Sequence, residues 1–159
     1  MCVGDRCPVE TVASNAVMAG ATPAYFPVIL ALAASQVTAR PSTTSSAASM
    51  ALVNGPIRRE IRMNWGIGAM GPYNHANATI GRAVRLILMN ACAAIPGVFD
   101  RSVIGHPGKY TYCIAEAETD THWTPLHLER GFPRQQSTAK DFAGKSPRQG
   151  PAICPPGPT

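Results

Sequence analysis

Residues 78–94, ATIGRAVRLILMNACAA, carry the most regular pattern in the chain and predict its longest helix. The apolar residues that recur at helical spacing are Ile80, Val84, Ile87, Leu88 and Ala91. They would lie on one face, with Arg82 and Arg85 turned away from it. Pro96-Gly97 ends the pattern, so the sequence predicts an amphipathic helix over these residues that packs against a core.

Two further helices are predicted ahead of this one. Residues 8–19 favour a short helix, because Pro8 suits a first turn and Gly20 suits a helix end. Thr22-Pro23 then predicts the start of a second helix, which would end before Pro41. Its apolar stripe consists of Phe26, Ile29, Leu30 and Ala33.

The predicted strands are short and separated by turns. A small polar loop is expected over residues 42–49, followed by a buried strand over residues 50–53 that the turn Asn54-Gly55-Pro56 closes. Residues 57–63 fit either a second strand or a helical turn. Residues 110–115 have strand character from their aromatic and β-branched side chains. With three main helices and a few short strands, the sequence predicts a small layered domain of α/β or α+β class.

The composition indicates one domain followed by a basic tail. The chain has 159 residues, 15 prolines, 14 glycines and a formal net charge of +5, with 45% hydrophobic residues. Residues 1–132 are predicted to form a single globular domain, and residues 133–159, rich in Pro, Gln, Ser and Lys, a disordered tail. Most of the net charge lies in that tail, so the body lacks the basic stripe of a nucleic-acid-binding protein. We therefore expect no nucleic-acid partner.

Neither a membrane segment nor a disulfide framework is predicted. The longest apolar run, residues 24–34, is too short for a span, which needs about 20 residues, and no short basic leader precedes it. The cysteines are Cys2, Cys7, Cys92, Cys113 and Cys154. Their count is odd and no pair has the C-x-x-C spacing, so we interpret Cys2 and Cys7 as unrelated thiols in preference to a metal clip. The sequence thus predicts a cytoplasmic protein with no membrane partner.

Residues 66–71 match G-x-G-x-x-G letter for letter, but their context departs from a dinucleotide-binding site. Pro72 follows the third glycine, and no acidic residue stands about 20 residues further on to hold a ribose. Two interpretations remain open: an anion held by amides at the following helix start, near Asn77 and Arg82, or an ordinary tight loop capped by Asn77. The sequence assigns no cofactor.

The turn at residues 105–109, Gly-His-Pro-Gly-Lys, presents two functional side chains on a constrained backbone. His106 is a candidate general acid or base, because an imidazole titrates near neutrality, and Lys109 is a candidate ligand for a carboxylate or phosphate. The alternative is a surface turn in which His106 bonds its own backbone. Cys113 follows as either a nucleophile or, like most buried cysteines, a core thiol.

A group of metal-ligand residue types lies within residues 116–129: Glu116, Glu118, Asp120, His122, His127 and Glu129. The spacing of the two histidines matches no zinc signature, and Trp123 and Pro125 favour an irregular segment. A solvated acidic loop is the favoured interpretation. A metal site formed by His122, His127 and Glu129 is the alternative.

Several long stretches resemble a bacterial family whose members accompany or fuse with UGSC-like proteins, which are named for a selenocysteine-Gly-Ser-Cys motif. These stretches are NAVMAG at 15–20, YFP at 25–27, NGPI at 54–57, NATIGRA at 77–83, GHPGKYTYCIAE at 105–116 and PLHLERGF at 125–132. The resemblance covers residues 9–132 and implies a partner protein of the UGSC-like type; some members carry a thioredoxin-like label. This chain has no Gly-Ser-Cys motif and has Ala21 where the family has a cysteine. Family chains extend further at both ends, which predicts that this chain is a fragment of a longer family domain.

Three functions are compatible with these observations. The first is a subunit or fragment of a bacterial enzyme, with thiol or selenol redox chemistry, in which His106, Lys109 and Cys113 are catalytic. The residues predicted to bind a small anionic substrate are Asn54, Asn77, Arg82, His127 and Glu129. The alternatives are a non-catalytic partner or scaffold subunit, whose apolar helices pack on another chain, and a metal-dependent hydrolase. An oligomer is expected in each case.

Overall fold

A computed structural model describes residues 7–35 and 47–144, and within these ranges the chain folds into five helices and three strands. The helices are α1 (Val9–Met18), α2 (Phe26–Ala34), α3 (Ile57–Glu60), α4 (His75–Asn90) and α5 (Leu126–Glu129). The strands are β1 (Ala48–Asn54), β2 (Cys113–Ala115) and β3 (Thr138–Gly144). A mixed sheet beside three longer helices makes this an α+β domain, as one of the two predicted classes requires.

The sheet has the order β2-β1-β3, with β1 in the centre. β2 runs parallel to β1, and Ala51 lies opposite Cys113. β3 runs antiparallel to β1 along its whole length, from Ala48 opposite Gly144 to Asn54 opposite Thr138. The carboxyl ends of β1 and β2 therefore meet at one edge of the sheet, where ligands of open sheets with parallel strands commonly bind.

The core lies between the sheet and α1, α2 and α4. The apolar face predicted for the longest helix is confirmed, since all five of its residues are buried: Ile80, Val84, Ile87, Leu88 and Ala91. Gly81 lets α4 approach the segment before β2, because a Cβ at this position would lie 2.7 Å from the Tyr112 amide nitrogen. In α2 the buried residues are Val28, Ile29 and Leu32.

The helix boundaries differ from the prediction for local reasons. α4 begins at His75, three residues early, because Asn74 holds the preceding loop closed with hydrogen bonds to the carbonyls of Gly68 and Gly71. It ends at Asn90, and Ala93 then adopts a positive φ of 58° that turns the chain out of the helix. The predicted stripe of α2 was rotated: of its four residues only Ile29 is fully buried, and the other three are half-buried.

The strand over residues 50–53 is confirmed and is longer than predicted. It begins at Ala48, so the loop prediction was wrong for residues 48 and 49, while residues 42–46 lie outside the described ranges. Of the alternatives for residues 57–63, the structure forms a helical turn, α3. The strand predicted over residues 110–115 is confined to β2, because a 3-10 turn at Pro107–Lys109 still bends the chain just before it.

The prediction of a disordered tail from residue 133 was wrong for β3. This strand completes the second edge of β1 through backbone hydrogen bonds, which need no alternating apolar pattern, and Ala139 packs against the core. The sheet therefore extends past residue 132. Residues 145–159, which include Cys154, lie outside the described ranges, as does Cys2.

Among the described residues, no helix combines the length and the hydropathy that a bilayer span requires. The longest, α4, has 16 residues and carries two arginines.

Candidate functional site

The structure distributes the predicted site residues over three places. They are Asn54 with His127, Arg82 with His106 and Lys109, and Asn77 with Cys113. Glu129 stands apart with an exposed side chain on α5. The predicted single site is therefore not formed, and each of the three places has its own geometry.

The first place is a polar cluster at the carboxyl ends of the parallel strands, which we call the carboxylate–histidine centre. It consists of Asn54, Arg58, Glu116, Glu118 and His127. Asn54 is the last residue of β1, and Glu116 directly follows β2. The end of the parallel strand pair thus brings together side chains that are more than 60 residues apart in the sequence.

The two carboxylates of the centre connect neighbouring segments of the chain through hydrogen bonds. Glu116 accepts hydrogen bonds from the Leu126 amide at 3.0 and 3.2 Å and from the Asn54 side-chain amide. Glu118 accepts from the Gly55 amide at 2.6 Å and from Arg58 Nη2 at 3.1 Å. Each carboxylate is therefore held in place by several N–H donors.

Gly55 makes this arrangement possible. Its φ is +84°, a backbone conformation that disfavours residues with a Cβ, and a Cβ here would lie 2.7 Å from Ser137 Cα. The segment that leads into β3 thus covers the turn, and Ser137 Oγ accepts a hydrogen bond of 3.0 Å from the Ile57 amide. β3, which the sequence did not predict, closes one side of the centre.

Glu118 is ionised in this setting. Burial by itself opposes its charge, but the Gly55 amide and the Arg58 guanidinium outweigh that effect and hold the pKa of the Glu118 carboxyl below its usual range. Arg58 therefore offsets the negative charge of Glu118 within the centre.

His127 and Arg58 have buried polar atoms that find no hydrogen-bond partner in the described part of the chain. The side chain of His127 is 2% exposed, and neither ring nitrogen has a hydrogen-bond partner among the described residues. Its Nδ1 lies 3.9 Å from Glu118 Oε1. Arg58 is equally buried, and its Nε and Nη1 also lack partners, while its guanidinium lies 4.6 Å from the centroid of the Trp65 ring. Since buried polar groups are nearly always paired, these atoms indicate a place for a ligand, an ion or water.

A cavity of about 340 Å³ adjoins the centre. Its lining residues are Asn54, Leu126, His127, Arg130, Phe132, Thr138, Ala139 and Lys140. Arg130 and Lys140 supply positive charge, and the lining contains no acidic side chain. A small anion would therefore be attracted to the cavity and would lie beside His127.

Half of the predicted group of metal-ligand residue types comes together here. Glu116, Glu118 and His127 each offer a ligand atom, and these atoms lie within 4.8 Å of one another. Asp120 instead accepts a hydrogen bond from Trp65 Nε1, and His122 is exposed. The interpretation as a solvated acidic loop was thus wrong for Glu116, Glu118 and His127.

The second place is a cavity of about 390 Å³ between α4 and residues 96–110, lined among others by Arg82, His106 and Lys109. Lys109 Nζ lies 2.6 Å from Asp100 Oδ1, and Arg85 Nη2 lies 3.0 Å from Asp100 Oδ2. Burial opposes the charge of Asp100, but hydrogen bonds from Lys109, Ser102 and Arg85 hold its pKa below its usual range. Lys109 is therefore placed as an ion-pair partner of a buried carboxylate.

His106 makes the local hydrogen bond of the alternative interpretation. Its Nδ1 accepts from the Gly108 amide at 2.9 Å, which leaves Nε2 as the nitrogen that carries the proton in the neutral ring. The histidine still lines the 390 Å³ cavity, so the bond fixes the ring without removing it from that surface.

The third place offers little chemistry. Asn77 is buried and joins the glycine-rich loop to α4 with hydrogen bonds to the backbone of Asn64 and Ala69, as a loop cap would. Burial raises the pKa of the Cys113 thiol to about 12, so it stays protonated at neutral pH. Because a thiolate is the reactive form, Cys113 has the properties of a core thiol.

Four residues of these places were missed or misread from the sequence. Arg58 was not predicted as a site residue, although an arginine soon after a predicted strand and turn is a signal for a strand-end site. Asp100 gave no signal, because its partners come from α4 and from the turn at residue 109. Glu116 and Glu118 were predicted as possible metal ligands, but their hydrogen bonds with Asn54 and Gly55 depend on the pairing of the parallel strands.

Comparisons of the chain with protein-family models, with curated proteins and with solved structures find no match. The resemblance to companions of UGSC-like proteins stays a prediction. The chemistry of the chain therefore has to be argued from its own residues.

Proposed function

We propose that this chain is an enzyme, or a subunit of one, in which His127 moves a proton on a small anionic substrate. The observation that carries the proposal is the buried His127 ring, which lies on the wall of a 340 Å³ cavity and has no hydrogen-bond partner at either nitrogen within residues 7–35 and 47–144. A histidine that is held beside a carboxylate and faces a cavity is the usual arrangement of a general acid or base.

The neighbouring residues support this role by charge and position. His127 takes a proton from a substrate O–H, N–H or activated C–H bond, the electron pair of that bond stays on the substrate, and the proton is returned in the reverse step. Glu118, 3.9 Å from Nδ1, stabilises the imidazolium that forms. Arg130 and Lys140 bind the anionic group of the substrate.

We also propose that the redox chemistry implied by the resemblance takes place together with a partner protein. Cys113 is too deeply buried to react, so a thiol or selenol would come from a UGSC-like partner protein. The centre around His127 would then handle protons in the shared reaction. We also propose a cytoplasmic location and an oligomeric assembly.

A metal-dependent hydrolase is the second candidate, favoured by the ligand atoms of Glu116, Glu118 and His127 that lie within 4.8 Å of one another. Two contacts make it the weaker one. Arg58 already bonds Glu118, and its positive charge would repel a divalent cation. Asn54 directs its N–H at Glu116, where a metal would need a lone pair.

Calorimetry with inorganic phosphate and with propionate distinguishes these candidates. We expect at least one of the two anions to bind the purified protein, with affinity reduced about tenfold or more in Arg130→Gln and Lys140→Gln, because each variant loses a charge-assisted contact. Arg59→Gln, on the exposed side of α3, is the matched control and should bind like the wild type.

Elemental analysis of the same samples completes the test. A stoichiometric metal ion that is lost in His127→Gln but kept in His122→Gln would contradict the proton-transfer proposal and favour the hydrolase. Failure of both anions to bind would overturn the assignment of an anionic substrate.

A further inference from the structure

The 390 Å³ cavity between α4 and residues 96–110 has a charge imbalance that the proposed function does not use. Its lining contains three cationic side chains, those of Arg82, Arg85 and Lys109, and one acidic side chain, that of Asp100. The cavity therefore has a net charge of +2 when His106 is neutral. A surplus of positive charge in a concave surface concentrates anions.

The single carboxylate in the cavity lining, that of Asp100, accepts hydrogen bonds at both of its oxygens. Asp100 is 4% exposed and accepts from Lys109, Arg85 and Ser102 at distances of 2.6 to 3.0 Å. Arg82 makes no ion pair or hydrogen bond among the described residues and is only half-buried. Its planar guanidinium is thus available for bidentate contact with a phosphate or carboxylate.

His106 adds a fixed donor. Because its Nδ1 accepts from Gly108, the neutral ring carries its proton on Nε2 and can donate that proton to an anion. The rigid turn holds the imidazole with little conformational entropy left to lose on binding.

The same cavity has an apolar wall. Met89, Val103 and Ile104 line it, and the side chains of Val103 and Ile104 are almost fully exposed, at 100% and 96%. Two neighbouring aliphatic side chains in full contact with water, beside a cationic cavity, fit a ligand with an apolar part.

We propose that this cavity binds an organic phosphate monoester. The ester's charge of about −1.5 to −2 at pH 7 offsets the surplus of the cavity, its phosphate oxygens bond Arg82 and His106, and its organic group lies on Val103 and Ile104. The site is separate from the carboxylate–histidine centre, so this proposal stands or fails independently of the proposed function.

Titration calorimetry with phenyl phosphate tests the proposal on the full chain. We expect saturable binding by the wild type, an affinity about tenfold or more lower in Arg82→Gln, and no change in Arg59→Gln, which removes an arginine outside the cavity. His106→Asn should also weaken binding, since an asparagine oxygen can still accept from Gly108 but the Nε2 donor is lost. Benzyl alcohol, which keeps the ring and lacks the charge, should not bind.

Two results would overturn the proposal. One is the absence of saturable binding of phenyl phosphate at millimolar concentration. The other is equal affinity of Arg82→Gln and Arg59→Gln, or a loss of affinity in Lys140→Gln in place of Arg82→Gln, which would locate the ligand at the other cavity.

Discussion

At the scale of single residues, a comparison of Gly20 with Gly55 distinguishes the cost of backbone strain from the cost of a steric overlap. Both have a φ of +83° to +84°, but no atom of the described residues lies within 4 Å of a Cβ added at Gly20, whereas Ser137 Cα lies 2.7 Å from a Cβ added at Gly55. The comparison matters because the Gly55 amide is a donor to Glu118. The geometry of the carboxylate–histidine centre therefore depends on this glycine.

We predict that Gly55→Ala lowers the free energy of unfolding more than Gly20→Ala does. Gly20→Ala should cost about 1 to 2 kcal/mol from the left-handed conformation alone. Gly55→Ala should cost a further 1 to 3 kcal/mol or so, because the chain must shift to relieve the overlap. Urea unfolding of the two variants measures the difference, and equal losses would contradict the close approach of residue 137.

A second prediction concerns the Cys113 thiol. With a pKa of about 12 and only 5% exposure to solvent, it should not react with a disulfide reagent in the native protein. Native wild type and Cys113→Ala should therefore show the same number of reactive thiols, and only in denaturant should the wild type show one more. An extra reactive thiol in the native wild type would contradict the assignment of Cys113 as a core thiol and favour its role as a nucleophile.

At the scale of elements, Asp100 joins α4 to the turn at residue 109. Its side chain binds Arg85 from the helix and Lys109 from the turn, both of which are mostly buried. The hydrogen bonds of a charged group to such partners contribute about 1.5 to 3 kcal/mol each at most. These ion pairs thus hold together the helix and the turn that line the cavity proposed for an organic phosphate.

We predict a pH-dependent effect of Asp100→Asn on stability. Hydrogen bonds from Lys109, Ser102 and Arg85 hold the folded-state pKa of Asp100 below its value in the unfolded chain. The stabilisation by its ionised form is therefore fully present above the unfolded-state pKa and is lost as the pH falls through the folded-state pKa. Unfolding free energies of the wild type and Asp100→Asn should differ by about 1 to 3 kcal/mol at pH 7 and converge as the pH drops below the folded-state pKa. A difference that stays constant down to low pH would show that Asp100 is not ionised in the fold.

β3 carries the clearest prediction about an element. A chain that ends at residue 132 leaves one edge of β1 without partners for its backbone groups, which destabilises the sheet and uncovers the turn at Gly55. We compare it with a chain that ends at residue 144 and keeps β3. Thermal unfolding should occur at a lower temperature, or lose its cooperativity, in the shorter chain only. Identical unfolding of both chains would contradict the pairing of β3 with β1.

At the scale of the whole molecule, the parts of the fold with local signals were predictable and the parts that depend on distant pairing were not. The face of α4 and the centre of β1 follow from apolar periodicity. β3 has no such pattern, because its partner β1 specifies it through backbone hydrogen bonds. Among the side chains of this strand that the structure describes, that of Ala139 packs against the core.

The same distinction applies to the candidate site. Asn54 and His127 were predicted as binding residues, and the structure brings them to one cavity. Their connection through Glu116, Glu118 and Arg58 spans the sheet edge and a crossover of more than 50 residues, which no local pattern reveals. Of the two alternatives for Cys113, the structure favours the core thiol over the catalytic role, because its pairing opposite Ala51 in the sheet places it in the core.

The most direct measurement is nuclear magnetic resonance of the His127 ring in protein labelled at histidine. If His127 exchanges a proton beside a bound anion, its ring signals should shift saturably on addition of phosphate or propionate, while those of exposed His122 should not. The His127 signals are identified by their loss in His127→Gln. A His127 ring that responds to neither anion would contradict its role as the acid or base of this chain.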